Sequence, residues 1–423
     1  MAEGGEWHGD YDPLADPEEQ KHLLSVLDSF RSYRRAAHYN ATHTRRQAFY
    51  SLPSEHWNLL ASPPFSVLDS LSQLDDLIDQ NADLAEAIFK VGFRSFVTPM
   101  LDPAILSTLH ATKNDDQLQI YSTVIDKLGI KAAPTDLDKA RSCINQFYRD
   151  WSAEGASERA AVLSPVLSAL AAEFPAANRS KVKVLVPGAG LGRLVFELCA
   201  AGFAVEGNEL SYHALIASSL VLNHTRAVGE YTLAPFALNG SNNHSRADQF
   251  ATCKVPDVHP AEALEEASKG ARVHAFERMS MTAADFCVLY GSKETKKKFR
   301  AVATVFFIDT APNVIRYVEA VRNCLVKGGI WINIGPLLWH HADRPRGSDN
   351  HDEAPGKAQE KDAGIGEPGA VELTDEEVVK LVEHFGFVVE KHEVRTIETG
   401  YIQNPKSMLL SVYRPSFWIA RKR

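Results

Sequence analysis

The chain has 423 residues, of which 45% are hydrophobic and 23% charged, with a formal net charge of −9. These values suit a soluble globular protein of roughly two to three domain-sized units, and the negative balance excludes a nucleic-acid binder held by a broad basic surface. Five scattered cysteines (Cys143, Cys199, Cys253, Cys287 and Cys324) form no CxxC pair, so neither a disulfide framework nor a zinc site is expected, and no metal constellation is apparent.

The N-terminal stretch MAEGGEWHGDYDPLADPEEQ is acidic and lacks the apolar stretch of a signal peptide. No apolar run reaches the length of a membrane span. Reduced thiols and no leader point to the cytoplasm, with the nucleus also open. Residues 1–15 read as a flexible acidic tail.

Residues 16–175 read as a helical region. Asp16-Pro17-Glu18-Glu19 supplies an N-cap, a first-position proline and first-turn acids. Leu23, Leu24, Leu27 and Phe30 then follow helix spacing. A second helix is read in SVLDSLSQLDDLIDQNADLAEAIFKVGF. A third is expected from Thr135, with Thr135 and Asp138 as a capping box, and a fourth over about 157–174. These helices could pack on a catalytic domain or mediate a homodimer.

At Lys181 the pattern changes. KVKVLVPGAGLGRLVFELCAAGFAVEGNELSYHALIASSLVLNHT reads strand, glycine turn, helix, strand, turn, helix, a βαβ unit with a parallel sheet. Further strands are expected in AVATVFFID, GGIWINIGP, GFVVEKHEV and SFWIARKR, with helices in NVIRYVEAVRNCL and TDEEVVKLVEHFG. The fold class is therefore α/β, a doubly wound domain over 181–423. Two interruptions stand out, at about 226–280 and at about 341–372. The middle of the second is polar, rich in Gly and Pro, and reads as disordered. The run Lys296-Lys297-Lys298 reads as a solvated face.

VLVPGAGLGRL carries the strongest chemistry. A glycine turn after a buried strand lets backbone approach a ligand closely. Gly188, Gly190 and Gly192 give G-x-G-x-G, shorter than the dinucleotide fingerprint. The second strand ends at Glu209, 21 residues after Gly188, where an acid accepts hydrogen bonds from a ribose diol. MTAADF offers Asp285 after the third strand. This spacing suits S-adenosylmethionine better than NAD. The bland alternatives are a tight turn for the glycines, a loop acid for Glu209 and a helix cap for Asp285. In TVFFIDTAPNVI, a strand is expected to run to Asp309. That carboxylate either caps the next helix, a role open also to Thr310 and Asn313, or faces a ligand.

INQFYRDWSAEG, VLVPGAGLGRLVFELCAAGFAVEGNELS, SNNHSRADQ, PDVHP, SMTAADF, FFIDTAPNVI and GGIWINIGPLLWH together resemble the carnosine N-methyltransferase family, in order over most of residues 140–423. The resemblance implies a class I methyltransferase, Rossmann-like, with added N-terminal helices. It implies transfer of a methyl group from S-adenosylmethionine to an imidazole nitrogen of carnosine (β-alanyl-histidine), giving anserine, or of related histidine dipeptides. Histidine in peptides or proteins is the alternative substrate, and a fold-retaining binding module is the non-catalytic one.

By the same resemblance, Gln146 and Arg149 meet the cofactor near its carboxylate, and Gly188, Gly190, Glu209, Asp285, Phe286 and Ala301 contribute further contacts. Asp309, His340 and Tyr413 are implied as catalytic residues, with Phe306, Asn313 and Tyr401 completing the substrate pocket. Without the resemblance, Arg149 would read as a surface ion pair with Asp150 or Glu154, His340 as a strand-end surface histidine, and the two tyrosines as half-buried aromatics. The family has a tyrosine cluster near the C-terminus; this chain reads LLSVYRPSF, with Tyr413 retained and Ser411 where tyrosine is expected.

Overall fold

The computed structural model describes residues 16–112, 117–342, 364–366 and 369–423. The expected acidic tail at 1–15 and most of the expected insertion at 341–372 lie outside the described residues. The chain divides into two compact units, one of residues 1–145, 231–241 and 245–252, the other of 146–230, 242–244 and 253–423. The 226–280 interruption is thus shared between the units. It contains short ordered elements, among them Tyr231–Leu233, Cys253–Val255 and Pro260–Ala267.

The first unit is helical. Helix α1 (Pro17–Arg31) starts as its sequence dictates, with the Asp16 side chain accepting from the Glu18 N–H. Helix α2 (Val67–Gly92) buries Leu74, Ile78, Ala82, Ala85, Ile88 and Phe89, a stripe at helical spacing. Asn81 on that stripe is satisfied by both backbone groups of Ala234. Helix α3 (Pro134–Trp151) begins one residue before the expected start. Ala133 accepts its first backbone bonds, so Thr135 lies inside the first turn and forms no capping box; Pro134 takes the first helical position instead. The division between units falls within α3, after Asn145.

The second unit continues with helix α4 (Ala156–Glu173) and then the α/β sandwich. Its sheet comprises β1 (Lys183–Pro187), β2 (Ala204–Glu209), β3 (Met279–Ala283), β4 (Phe299–Val305), β5 (Leu325–Gly335), β6 (Phe387–Glu393) and β7 (Ser416–Lys422). The spatial order is β3-β2-β1-β4-β5-β7-β6. Neighbours from β3 to β5 are parallel, while β7 runs antiparallel between β5 and β6. Helices α5 (Arg193–Ala200), α6 (Tyr212–Asn223), α7 (Phe286–Gly291), α8 (Val314–Cys324) and α9 (Asp375–His384) connect the strands. Val184, Leu185 and Val186 of β1 are buried, as strands covered on both faces require. Trp331 of β5 packs edge-on against Trp418 of β7 at 4.8 Å and donates its indole N–H to Thr304 Oγ1 at 2.9 Å.

The strand order reverses between β1 and β4. In open α/β sheets the ligand crevice lies at the carboxyl ends of the strands at that switch point.

The first unit carries a charge cluster with a pH consequence. His38 places its two ring nitrogens 2.8 Å from Asp75 Oδ1 and 2.9 Å from Asp79 Oδ1. Arg34 bonds Asp79, and Arg46 bonds Asp75. Carboxylates only accept, so both contacts are satisfied by the imidazolium. Burial opposes that charge, but the bonds to Asp79 and Asp75 outweigh it and hold the His38 pKa above its ordinary value. A raised folded-state pKa gives stability that is present below about 6.5 and lost as pH rises through the folded value. Thermal denaturation between pH 6 and 9 is expected to show this loss in the wild type and not in His38→Ala.

Candidate functional site

The glycine turn after β1 is built from three left-handed residues, with φ of +62° at Gly188, +54° at Gly190 and +78° at Gly192. Their surroundings separate their roles. A Cβ on Gly188 would lie 2.5 Å from Cδ2 of the Phe307 ring, and one on Gly192 would lie 2.8 Å from Leu222. Those two glycines serve packing. A Cβ on Gly190 would meet nothing within 4 Å, so at this position the backbone lies open for a ligand to approach.

Glu209 ends β2 beside this turn. Its Oε2 accepts from the Gly190 N–H, and its Oε1 from Leu210 and Ser211 N–H, all at 2.9 Å. A carboxylate has about four acceptor positions, so the side chain is aimed by backbone with acceptor capacity left. Asn208, buried on the same strand, donates to the Thr282 and Ala284 carbonyls and so fixes the end of β3.

Asp285 follows β3 and caps α7, its Oδ1 accepting from Cys287 and Val288 N–H. The cap reading is therefore realised, and its Oδ2 also accepts from Ile365 at 2.8 Å. The Phe286 ring is buried against Phe307 and Tyr317. What Phe286 can offer is its N–H at the first position of a helix, where no intrahelical acceptor exists. Ala301 does not fit the expected cofactor role. It is fully buried in β4, paired with Val184 and Ile330, four residues before the carboxyl end at which a ligand would sit.

On the last turns of α3, Gln146 and Arg149 share a face, both half-buried. Arg149 makes the ion pair with Asp150 at 2.8 Å, and its guanidinium also lies 4.4 Å from the centre of the Tyr401 ring. Burial works against its charge, but Asp150 and further anionic neighbours outweigh it and hold its pKa above the ordinary arginine value.

Strand β4 does not reach Asp309. It ends at Val305, because Phe306 takes φ +52°, a region that non-glycine residues rarely adopt and that concentrates at functional sites. The Phe306 N–H still bonds the Ile334 carbonyl, while Gly335 allows close passage of β5, since a Cβ there would lie 3.2 Å from the Phe306 backbone. The Phe306 ring meets Tyr401 at 5.4 Å and Tyr413 at 5.8 Å. Arg149, Tyr401, Phe306 and Tyr413 thus form one cluster.

Asp309 lies in the short 3-10 turn Ile308–Thr310 and is only 2% exposed. It does not cap α8; the Asn313 side chain does, accepting from Ile315 N–H, so the carbonyl oxygen of Asn313 is already engaged. Asp309 Oδ2 accepts from the Leu338 N–H at 3.0 Å. Its backbone carbonyl accepts from the His340 N–H. Burial pushes the Asp309 carboxyl above the usual carboxylate range, opposed by the Leu338 N–H and the nearby His340 imidazole. His340 itself is exposed and follows Trp339, at φ +43°, whose indole N–H donates to the Leu373 carbonyl.

The model of the carnosine N-methyltransferase family matches residues 127–423. A carnosine N-methyltransferase of Schizosaccharomyces pombe is 34% identical over 409 residues, covering 96% of this chain and 97% of the relative. One from Rattus norvegicus is 32% identical, covering 96% and 86%. The Drosophila melanogaster "Carnosine N-methyltransferase unmet" is 33% identical, covering 97% and 81%.

The chain belongs to the carnosine N-methyltransferase family.

The structure also gives roles to residues that sequence reading left without one. Leu338 supplies the N–H that holds Asp309, a backbone contribution that no side-chain motif signals. Glu158 of α4 accepts from the Ile402 and Gln403 N–H groups and so anchors the loop bearing Tyr401. The Gln403 side-chain amide bonds both backbone groups of Ser411. Thr399 and Tyr413 exchange backbone bonds. Among the described residues, no group of three or more His, Cys, Asp or Glu could hold a metal ion, and no helix is long and apolar enough to cross a membrane.

The turn makes a contrast testable. Gly188→Ala is expected to destabilise the fold by at least about 1–2 kcal/mol from the left-handed backbone alone, with the Phe307 clash added. Gly190→Ala meets open space, so it bears only that left-handed backbone cost of about 1–2 kcal/mol without a clash, while cofactor affinity falls. Thermal melts paired with titration of S-adenosylhomocysteine check both.

Proposed function

We propose that this chain transfers the methyl group of S-adenosylmethionine to an imidazole nitrogen of carnosine, giving anserine. The chain is a methyltransferase by family membership, and S-adenosylmethionine is its methyl donor. The observation that carries the substrate reading is Asp309, a buried carboxylate held by the Leu338 N–H just past the end of β4.

The open backbone at Gly190 and the aimed carboxylate of Glu209 fit the cofactor's ribose side, and Asp285 with the Phe286 N–H fits its adenine. Arg149 and Gln146 would hold its carboxylate, an arginine fork matching a carboxylate geometrically. When bound, the cofactor supplies a sulfonium methyl open to in-line displacement.

The protein's task is to align the nucleophile. A neutral imidazole has a lone pair, and an imidazolium does not. Asp309 accepts a hydrogen bond from the ring N–H, which turns the other nitrogen's lone pair toward the methyl group. As positive charge develops on the ring, the carboxylate stabilises it and then takes the ring proton. Its raised pKa makes it a better proton acceptor than an ordinary aspartate. His340 and Tyr413 orient the dipeptide, and Phe306 and Tyr401 close over the ring. Asn313 can offer its amide N–H groups from the cap of α8.

Incubation with labelled cofactor, carnosine and a cell lysate tests the reading directly. Label is expected in the dipeptide, and label confined to protein bands would refute the substrate assignment. Asp309→Asn is expected to lower kcat by ~100-fold or more, the scale of a lost general base, with cofactor affinity within a few-fold of wild type.

The same substitution has a stability signature. The Asp309 pKa is raised on folding, so the wild type is favoured at low pH and loses stability as pH rises from about 3.9 through the folded value. Asp309→Asn keeps an acceptor for Leu338 and lacks that loss. Its melting temperature relative to wild type is therefore expected to climb across this window and then level off.

A further inference from the structure

The PDVHP stretch contributes no residue to the cluster around Phe306 and Asp309, yet Asp257 within it is engaged on every side. Its Oδ2 accepts from Arg159 Nη2 at 2.8 Å, and its Oδ1 from Arg193 Nη1 at 2.6 Å. Its own N–H donates to the Trp151 carbonyl at 2.8 Å. The three side chains are 13%, 8% and 10% exposed, so a carboxylate bridges two nearly buried guanidiniums.

Those guanidiniums are spent on one object, the end of α3. Arg159 Nη1 donates to the Arg149 carbonyl at 2.6 Å and to the Ser152 carbonyl at 3.0 Å. Arg193 Nη1 donates to the Asp150 carbonyl at 3.1 Å. With the Asp257 N–H on Trp151, the carbonyls of four successive residues, Arg149 to Ser152, are all held by this network. Carbonyls at a helix C-terminus have no intrahelical partner and favour positive charge.

The same network reaches the glycine turn. Arg193 is the residue immediately after Gly192 and opens α5. Trp151 lies under its guanidinium at 4.9 Å and donates its indole N–H to the Leu191 carbonyl at 3.1 Å. Arg193 also pairs with Glu197, whereas the only carboxylate that Arg159 pairs with is Asp257 among the described residues.

We infer that Asp257 is a positioning residue for the cofactor: it holds the helix end that carries Arg149 in register with the glycine turn that carries Gly190. Two facing guanidiniums would repel each other without it, and an uncompensated buried charge relaxes by moving. The movement would separate the group that meets the cofactor's carboxylate from the turn that meets its ribose. Asp257 touches neither cofactor nor substrate and leaves the Asp309 side untouched. The inference rests on the assignment of Arg149 and the glycine turn to S-adenosylmethionine.

The test titrates the full chain calorimetrically with S-adenosylhomocysteine, a probe whose binding does not depend on the methyl acceptor. Asp257→Asn is expected to raise Kd about tenfold, the size of one good hydrogen bond. In turnover, KM for S-adenosylmethionine should rise in step, with kcat and KM for carnosine within about twofold.

Arg421→Gln is the control for general loosening, because Arg421 bridges Glu173 and Glu390 in the same unit. Its Kd should match wild type. Equal binding by Asp257→Asn and wild type overturns the inference, as does equal weakening by Arg421→Gln. If Asp257→Asn fails to show a folding transition, Arg159→Lys decides, since lysine keeps the charge but cannot span the Arg149, Ser152 and Asp257 oxygens together; an unchanged Kd there overturns the inference too. Absence of binding by the wild type would instead refute the cofactor assignment on which it rests.

Discussion

The contact on which the site depends is the approach of the Phe307 ring to Gly188. Any side chain at 188 would overlap the ring, and the ring is itself stacked on Tyr317 at 4.7 Å. Through that stack the turn after β1 is packed against the segment after β4. One of these segments carries the open backbone at Gly190, and the other carries Phe306 and Asp309. Methyl transfer demands sub-ångström alignment of two molecules held by different strands. A rigid aromatic filling the space a Cβ would take is a direct way to hold those strands ends together, because close-packed contacts transmit position rather than absorb it.

Around this contact the protein accepts local strain. Phe306, Trp339 and Ile402 all have positive φ, and they lie in three different segments, at or next to the candidate residues Phe306, His340 and Tyr401. Each is also over-determined by its neighbours: Phe306 by Ile334 and Gly335, Trp339 by the Leu373 carbonyl, Ile402 by Glu158. Asp309 adds an electrostatic strain of the same sort, a carboxylate buried with the Leu338 N–H as its hydrogen-bond donor. A fold that placed stability first would bury a neutral residue there.

Much of the architecture was legible because periodicity reports burial. The runs at 183–187 and 299–305 are apolar because both sheet faces are covered, and the Asp16 cap reads directly from its residues. What failed to read has physical causes. The strand expected to reach Asp309 stops at Val305, since apolar Phe306 and Phe307 continue the pattern while the backbone turns, and composition does not encode φ. The start of α3 was misplaced because Ala133 caps through its backbone alone. Asp285 and Asn313 illustrate a different limit: the same residue type at a strand end can cap a helix or meet a ligand, and spacing cannot rank the two. Ala301 entered as a contact by family position and proved to be interior sheet. Asp257 was visible only as part of a motif, because its partners are distant in sequence and meet only in the fold.

The pairing of Gln403 with Ser411 bears on what a change of side chain at 411 can do. The amide of Gln403 reads the backbone of residue 411 at both its N–H and its carbonyl, and the side chain of 411 is not part of that grip. The hold of Gln403 on the loop leading to Tyr413 therefore does not depend on the side chain at 411, proline excepted because it has no N–H to donate. A serine there in place of a tyrosine leaves the pairing with Gln403 intact. Position 411 can thus change its side chain while the backbone leading to Tyr413 stays held by Gln403.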